Sequence, residues 1–208
     1  MTQALPNNQS LVQIWLQKKY AIFLKKFLTQ TGIVRRIDDL GRIVIPKEIR
    51  RTLHIRESDP MEIFTGKDGE VVLKKYSPIG EMSTFAKQYA ESLAQVSGKV
   101  ALIADRDQFI ATAGGGKAFN GKGLSRHLED ALERRETILA GKGEKKFLEI
   151  SQELQDAYEQ EMIAPIICEG DVIGAVILLE TDGKGQMGEV EKKLALSAAA
   201  FLGRQMEQ

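Results

Sequence analysis

The segment from residue 31 to residue 77 most strongly limits how this chain of 208 residues can fold, because it combines four short strand-like runs with one short helix. The runs GIVRRI and RIVIP flank the turn sequence DDLG, and MEIFT and EVVLKKY flank GKDG, so two β-hairpins are predicted. Pro46 lacks an amide hydrogen and fixes φ, which favours the start of a helix over KEIRRTL. A unit of about 50 residues encloses little core by itself. We therefore expect a homodimer.

Arginines are concentrated in this segment, which we call the arginine module (residues 31–77). The candidate DNA-binding residues are Arg35, Arg36, Arg42, Arg50 and Arg51. A guanidinium group is planar, permanently charged and matches phosphate oxygens and guanine edges, so their density favours binding to double-stranded DNA. The alternative is that these arginines form solvated ion pairs with Asp38, Asp39 and Glu48.

The net charge of the whole chain is zero, but the charge is unevenly distributed. Residues 1–30 carry four lysines and no acidic residue, and residues 31–80 carry ten basic against eight acidic side chains. Residues 81–208 carry fifteen basic against twenty-one acidic side chains. A basic front and an acidic rear are typical of a chain that offers one end to a polyanion.

Residues 1–30 form an extension whose apolar run, residues 11–28, contains Lys18, Lys19, Lys25 and Lys26. Four lysines argue against stable insertion in a membrane, and no cleavage site follows the run, so a cytoplasmic protein is predicted. The run predicts a basic amphipathic helix; the alternative is an extension without a role, read from an upstream start codon.

The residues that would carry catalysis or hold a metal are sparse in this sequence. Cys168 is the single cysteine, and with two histidines the usual zinc spacings are absent. The stretch GKAFNGKG resembles a phosphate-binding loop, but Gly123 stands where Ser or Thr would hold Mg²⁺. We expect no enzyme activity, no metal and no cofactor.

The run TGIVRRIDDLGRIVIPKEIRRTLHI, together with DPMEIF and VVLKKY, closely resembles the DNA-binding domain of AbrB-type transition-state regulators. From SPIGEMSTFAKQYAESL to the C-terminus the resemblance is to the sporulation regulators of that family. The resemblance implies a swapped-hairpin β-barrel formed by a dimer, a C-terminal GAF-like α/β domain and a homotetramer. It also implies that the five candidate arginines contact DNA. Lys47 is a weaker candidate, and Lys74 and Lys75 are expected only to screen or steer.

The arginine module is followed by an apolar stripe that predicts a linking helix over residues 78–97. The stripe consists of Ile79, Met82, Ala86, Tyr89, Leu93 and Val96. It would pack against a second copy or against the terminal helix, where Val190, Leu194, Phe201 and Leu202 form a similar face. The alternative is ordinary packing inside one domain.

The rear domain, residues 98–208, alternates strand-like runs with helical stretches, which predicts an α+β sheet domain. The predicted strands are VALIAD, QFIATA, MIAPII and VIGAVILLE, and the predicted helices are LSRHLEDALERRETILA and the terminal GEVEKKLALSAAAFLGRQM. The ending resembles a GAF domain, which implies a sensory and oligomerisation role and a small ligand of unknown identity.

These observations predict a sequence- or shape-selective DNA-binding regulator, an activator or a repressor of sporulation or stationary-phase genes. Because no long recognition helix is present, specificity is expected to depend partly on DNA shape. The alternative is an antitoxin-like or signalling module that binds a protein partner.

Overall fold

A computed structural model of the chain describes residues 33–57, 59–67, 69–154, 158–183 and 185–207. The chain divides into two compact units, Met1–Arg51 and Thr52–Gln208. The basic extension predicted over residues 1–30 lies outside the described residues. No helix in the described ranges is long and apolar enough to cross a membrane.

The described part of the first unit consists of two segments without regular secondary structure, a turn between them and the start of helix α1 (Lys47–Thr52). The turn forms at the predicted position, and Pro46 precedes the helix as expected. The strands predicted over GIVRRI and RIVIP are not formed, since residues 33–46 contain no strand in this single chain. A strand needs a hydrogen-bonded neighbour along its length. In the described residues of the turn, backbone hydrogen bonds run from the Asp38 N–H to the Arg42 carbonyl and from the Gly41 N–H to the Asp38 carbonyl, both at 3.0 Å.

The second predicted hairpin is confirmed as strands β1 (Met61–Thr65) and β2 (Val71–Lys75), which pair antiparallel. The turn closes with a 2.7 Å hydrogen bond from the Gly66 N–H to the Glu70 carbonyl. Gly69 has a φ of +79°, a conformation that glycine adopts without steric cost.

The linking segment forms two helices, α2 (Pro78–Glu81) and α3 (Ser83–Ser97), instead of one. Ile79, Ala86 and Leu93 of the apolar stripe are buried in the core of the rear sheet, whereas Val96 is 72% exposed. Tyr89 stacks on Phe201 of the terminal helix, with ring centroids 5.4 Å apart. In the single chain the stripe therefore packs mainly inside its own domain.

The rear domain is built on a five-stranded antiparallel sheet in the order β4-β3-β7-β6-β5. Its strands are β3 (Val100–Ala104), β4 (Phe109–Ala113), β5 (Ile138–Gly141), β6 (Gln160–Cys168) and β7 (Asp171–Glu180). A 3₁₀ helix (Gly116–Phe119), α4 (Arg126–Glu133) and the terminal helix α5 (Glu189–Gln205) complete the domain. The four strands and the terminal helix predicted from sequence are confirmed.

One predicted element was wrong in extent. The helical stretch LSRHLEDALERRETILA ends at Glu133, and its last residues form strand β5. Arg135 has a φ of +56°, which ends the helix, and Ile138 then pairs with Ile163 of β6. The tertiary pairing with β6 therefore overrides the helical propensity of this segment.

The sheet separates two hydrophobic cores, because alternate residues of the central strands point to opposite faces. On one face Ala101, Met162 and Val176 pack under α3 and α5. On the other face Leu102 and Ile177 pack under α4, residues 147–154 and Tyr158. Burial of both faces explains why the strands are nearly continuous apolar runs.

Candidate nucleic-acid interface

The turn at residues 38–42 positions three of the five candidate arginines. One carboxylate oxygen of Asp38 accepts hydrogen bonds from the backbone N–H groups of Leu40 at 3.0 Å and Arg42 at 2.8 Å. Gly41, with a φ of +76°, donates its N–H to the Asp38 carbonyl at 3.0 Å. Aspartate is favoured in such turns because its side chain replaces a backbone acceptor. Arg35 and Arg36 therefore precede the turn and Arg42 follows it.

Arg42 forms the ion pair with Asp38 that was considered as the alternative to DNA binding. Its Nε lies 2.8 Å from Oδ2 of Asp38, and the Arg42 side chain is 69% exposed. The hydrogen bonds from Arg42 hold the pKa of the exposed Asp38 carboxyl below its ordinary value. Exposed pairs of this kind contribute little stability, so the guanidinium group remains available to another anion.

Helix α1 carries the other two candidates. The Pro46 carbonyl accepts the Arg50 N–H at 3.0 Å, which closes the first helical turn. Arg50 and Arg51 lie in the last turn, where cations interact favourably with the helix dipole, and both are exposed. For Arg35, Arg36, Arg50 and Arg51, no ion pair is seen in the part of the chain that the structure describes.

Large apolar side chains of the arginine module are exposed alongside these arginines. On the two sides of the turn, Val34 is 87% exposed and Val44 is 71% exposed. In the hairpin the cross-strand pair Phe64 and Val72 is exposed on one face, and Ile63 is exposed on the other. Exposed apolar surface on both faces of a two-stranded hairpin is typical of an interaction surface.

Lys75 is placed differently from the arginines, because its ammonium group faces the rear domain. Its Nζ donates to both carboxylate oxygens of Asp107 at 2.8 and 2.6 Å and to the His54 carbonyl at 2.9 Å. It also lies 3.4 Å from Oδ2 of Asp59, whose other oxygen binds Arg106 at 3.0 Å. Sequence reasoning missed this network because its partners are far apart in the chain.

A cleft of about 730 Å³ borders this network between the β1–β2 hairpin and the rear sheet. Its walls include Asp59, Lys75, Arg106 and Asp107, and these charges are paired with one another. A cluster of His, Cys, Asp and Glu suited to a metal ion is not found within the described ranges.

Comparison with known proteins identifies the chain. The profile of the family described as stage V sporulation protein T C-terminal, transcription factor, matches residues 81–207. The chain belongs to the stage V sporulation protein T family. A second profile, the antidote-toxin recognition protein MazE, a bacterial antitoxin, matches residues 34–81.

Members of this family and its neighbours are found in Bacillus subtilis strain 168. Stage V sporulation protein T is 50% identical over 179 residues, which cover 86% of this chain and 98% of that protein. The transition state regulatory protein AbrB is 43% identical over 76 residues, 36% of this chain and 78% of that protein. The resemblance predicted from TGIVRR to VVLKKY is confirmed. The chain is a sporulation-associated, DNA-binding transcription regulator.

Solved structures agree with the expected fold of the rear domain. A cyanobacteriochrome receptor PixJ structure has a TM-score of 0.50 at 9% identity, covering 64% of this chain and 99% of that chain. The GAF domain of an Acinetobacter phosphoenolpyruvate-protein phosphotransferase has a TM-score of 0.49 at 14% identity, covering 60% and 81%. The rear domain therefore shares the fold of the PixJ structure.

Proposed function

We propose that two copies of this chain bind double-stranded DNA through their paired arginine modules. The observation that carries the proposal is the exposure of Arg35, Arg36, Arg42, Arg50 and Arg51 around one turn and one short helix. A dimer doubles the number of guanidinium groups that one assembly offers to the phosphates of a duplex. The rear domain, which is acidic, is not suited to that contact.

The exposed apolar groups support pairing through exchanged hairpins, in the form of a swapped-hairpin barrel. Residues 33–46 have no strand partner among the described residues, and Val34 and Val44 are solvent-exposed. Strands from a second copy would supply hydrogen-bond partners and cover these side chains. Contacts between rear domains would then join two dimers as a tetramer.

DNA recognition in this arrangement depends first on phosphate contacts and second on DNA shape. Helix α1 spans only Lys47–Thr52, too short to act as a long recognition helix in the major groove. We expect operators with limited sequence similarity, selected partly by deformability. The protein acts in the cytoplasm as a regulator and not as an enzyme, and the GAF-like domain senses a small ligand.

The test is the salt dependence of binding to a sporulation promoter fragment. Each lost phosphate contact is expected to reduce the slope of log K against log salt by about 0.9. Arg50→Ala and Arg42→Ala should weaken binding at least about tenfold and reduce that slope. Lys67→Ala, in the β1–β2 turn, is the control for loss of a cation outside the proposed site. Binding by both arginine variants that equals that of the unaltered protein would reject the site.

A second candidate function is supported by the antitoxin profile that matches residues 34–81. In that case the exposed surface of the arginine module would bind a small, acidic protein. Recovery of one stoichiometric acidic partner, with no binding to any promoter fragment, would favour this candidate over DNA binding.

A further inference from the structure

The ammonium group of Lys75 is saturated by acceptors, which distinguishes it from the cations proposed to contact DNA. Its three donors meet the Asp107 carboxylate and the His54 carbonyl at 2.6–2.9 Å, and Asp59 lies 3.4 Å away. The side chain is only 23% exposed. The adjacent Lys74 is exposed and pairs in register with Glu62 on the opposite face of the hairpin.

The acceptors of Lys75 are themselves held in place. Asp107 lies in the turn between β3 and β4, where Oδ1 of Asp105 accepts the backbone N–H groups of Asp107 and Gln108, both at 2.8 Å. Ser77, two residues after Lys75, donates its hydroxyl to the other oxygen of Asp105 at 3.0 Å. Two residues of the segment that leaves β2 therefore bind the same turn of the rear sheet.

A second contact joins the same parts of the molecule. Arg56 donates to Glu129 at 2.7 Å and also to Glu133, both on helix α4. Helix α4 covers one of the two cores of the rear sheet. The residues that follow α1 and the strand β2 are thus tied by charge-assisted hydrogen bonds to α4 and to the β3–β4 turn. Such bonds are stronger than neutral ones and lose strength if one partner moves.

We propose that Lys75 is a positioning residue that locks strand β2 to the β3–β4 turn, so that the DNA affinity of the arginine module depends on Asp107 of the GAF-like domain. The lock fixes His54 through its carbonyl, and His54 lies two residues after the end of the helix that carries Arg50 and Arg51. A movement of the turn would release β2 and reduce the order of the DNA-binding surface. This inference rests on the proposed function.

The test compares how two substitutions of opposite charge change the DNA affinity of the full-length protein. Lys75→Met and Asp107→Asn are each expected to weaken DNA binding about five-fold. If the two charges acted directly on DNA, the two substitutions would have opposite effects: loss of the Lys75 ammonium would weaken DNA binding, and loss of the Asp107 carboxylate would strengthen it. The double variant should lose no more DNA affinity than Lys75→Met alone, since Lys75→Met already removes the contact with Asp107. Lys74 is the neighbouring lysine outside the lock, so Lys74→Met should reduce DNA affinity less than Lys75→Met does.

Amide hydrogen exchange provides the second measurement. In both variants the Tyr76 N–H, which donates to the Pro60 carbonyl at 3.0 Å, should exchange faster, while the amides of β3 and β7 stay protected. Tighter or unchanged DNA binding by Asp107→Asn, or losses that add in the double variant, would overturn the lock. If Arg42→Ala and Arg50→Ala both bind DNA normally, the proposed DNA site fails, and the exchange of the Tyr76 N–H still decides whether the lock exists.

Discussion

Glu161 accepts a 2.6 Å hydrogen bond from the backbone N–H of Leu148, and this bond ties the segment between β5 and β6 to the sheet. The carboxyl is fully buried, and among the described residues its second oxygen has no hydrogen-bond partner. Burial raises the pKa of Glu161 to about 8, and the bond from Leu148 only partly offsets that effect. The folded protein therefore retains a proton that the unfolded chain releases at a lower pH.

Glu161 should make the folded state less stable as the pH rises. A raised carboxyl pKa means that the free energy of unfolding falls between about pH 4.5 and about pH 8, by up to about 1.4 kcal/mol per pH unit. Glu161→Gln keeps the shape, removes the titration and should flatten this dependence in urea unfolding from pH 5 to pH 9. The exposed Glu149→Gln serves as the control and should keep it. If the free energy of unfolding of Glu161→Gln fell with pH as steeply as that of the unaltered protein, the pH dependence could not be assigned to Glu161.

Asp38 should support DNA binding because its side-chain oxygen accepts hydrogen bonds in the turn, and not because it carries a negative charge. Asp38→Ala removes the acceptor for the N–H groups of Leu40 and Arg42, so the flanking arginines lose order and DNA binding weakens about three- to ten-fold. Asp38→Asn keeps an acceptor oxygen and should bind nearly as well as the unaltered protein. Both are measured by fluorescence anisotropy. Tighter binding by Asp38→Ala would show that removal of a negative charge dominates.

Phe64 should contribute to pairing of the arginine modules. Phe64→Asp places a charge in the exposed apolar pair with Val72 and should shift the protein toward smaller assemblies in sedimentation velocity. DNA binding should weaken in parallel. Lys67→Asp, in the turn of the same hairpin, also adds a negative charge but removes no apolar surface, so it should leave the assembly intact. Equal assembly of both variants would place the dimer contact elsewhere.

Gly203 should tolerate no side chain, because α5 approaches β6 closely there. A Cβ at this position would lie 2.1 Å from the Ile167 carbonyl oxygen, so Gly203→Ala must displace the helix. The expected loss is at least about 2 kcal/mol in urea unfolding, although alanine favours helices. Gly123→Ala meets only the Asp107 carbonyl oxygen at 3.7 Å and should cost much less. Similar losses in both variants would contradict the close approach.

Local patterns in the sequence predicted correctly those elements that are defined by their own residues. The GKDG turn, Pro46 before α1 and the apolar runs of β3, β6 and β7 are examples. The runs around DDLG were predicted as strands, but a strand is defined by its neighbour, and no strand of the described ranges pairs with residues 33–46. Periodicity showed that Ile79 and Leu93 are buried but not which surface buries them.

The polar contacts were the least predictable part of the site. Lys75 was interpreted as a cation that screens or steers DNA, because nothing near it in the sequence indicates Asp107, 32 residues away. Glu161 lies at the start of an apolar strand, where an acidic residue is normally placed at the surface. The roles of Lys75 and Glu161 both depend on contacts with residues that only folding brings close to them. The five arginines differ in this respect, since their density is visible without any tertiary contact.

Strand β7 lies between β3 and β6, yet it is the last strand of the sheet in the chain. On the ribosome, β3–β4 and β5–β6 therefore emerge as two separate hairpins, and they are joined only after residue 180 has been translated. The arginine module is complete more than 90 residues earlier. Newly made chains thus expose their apolar hairpin before the rear sheet has closed.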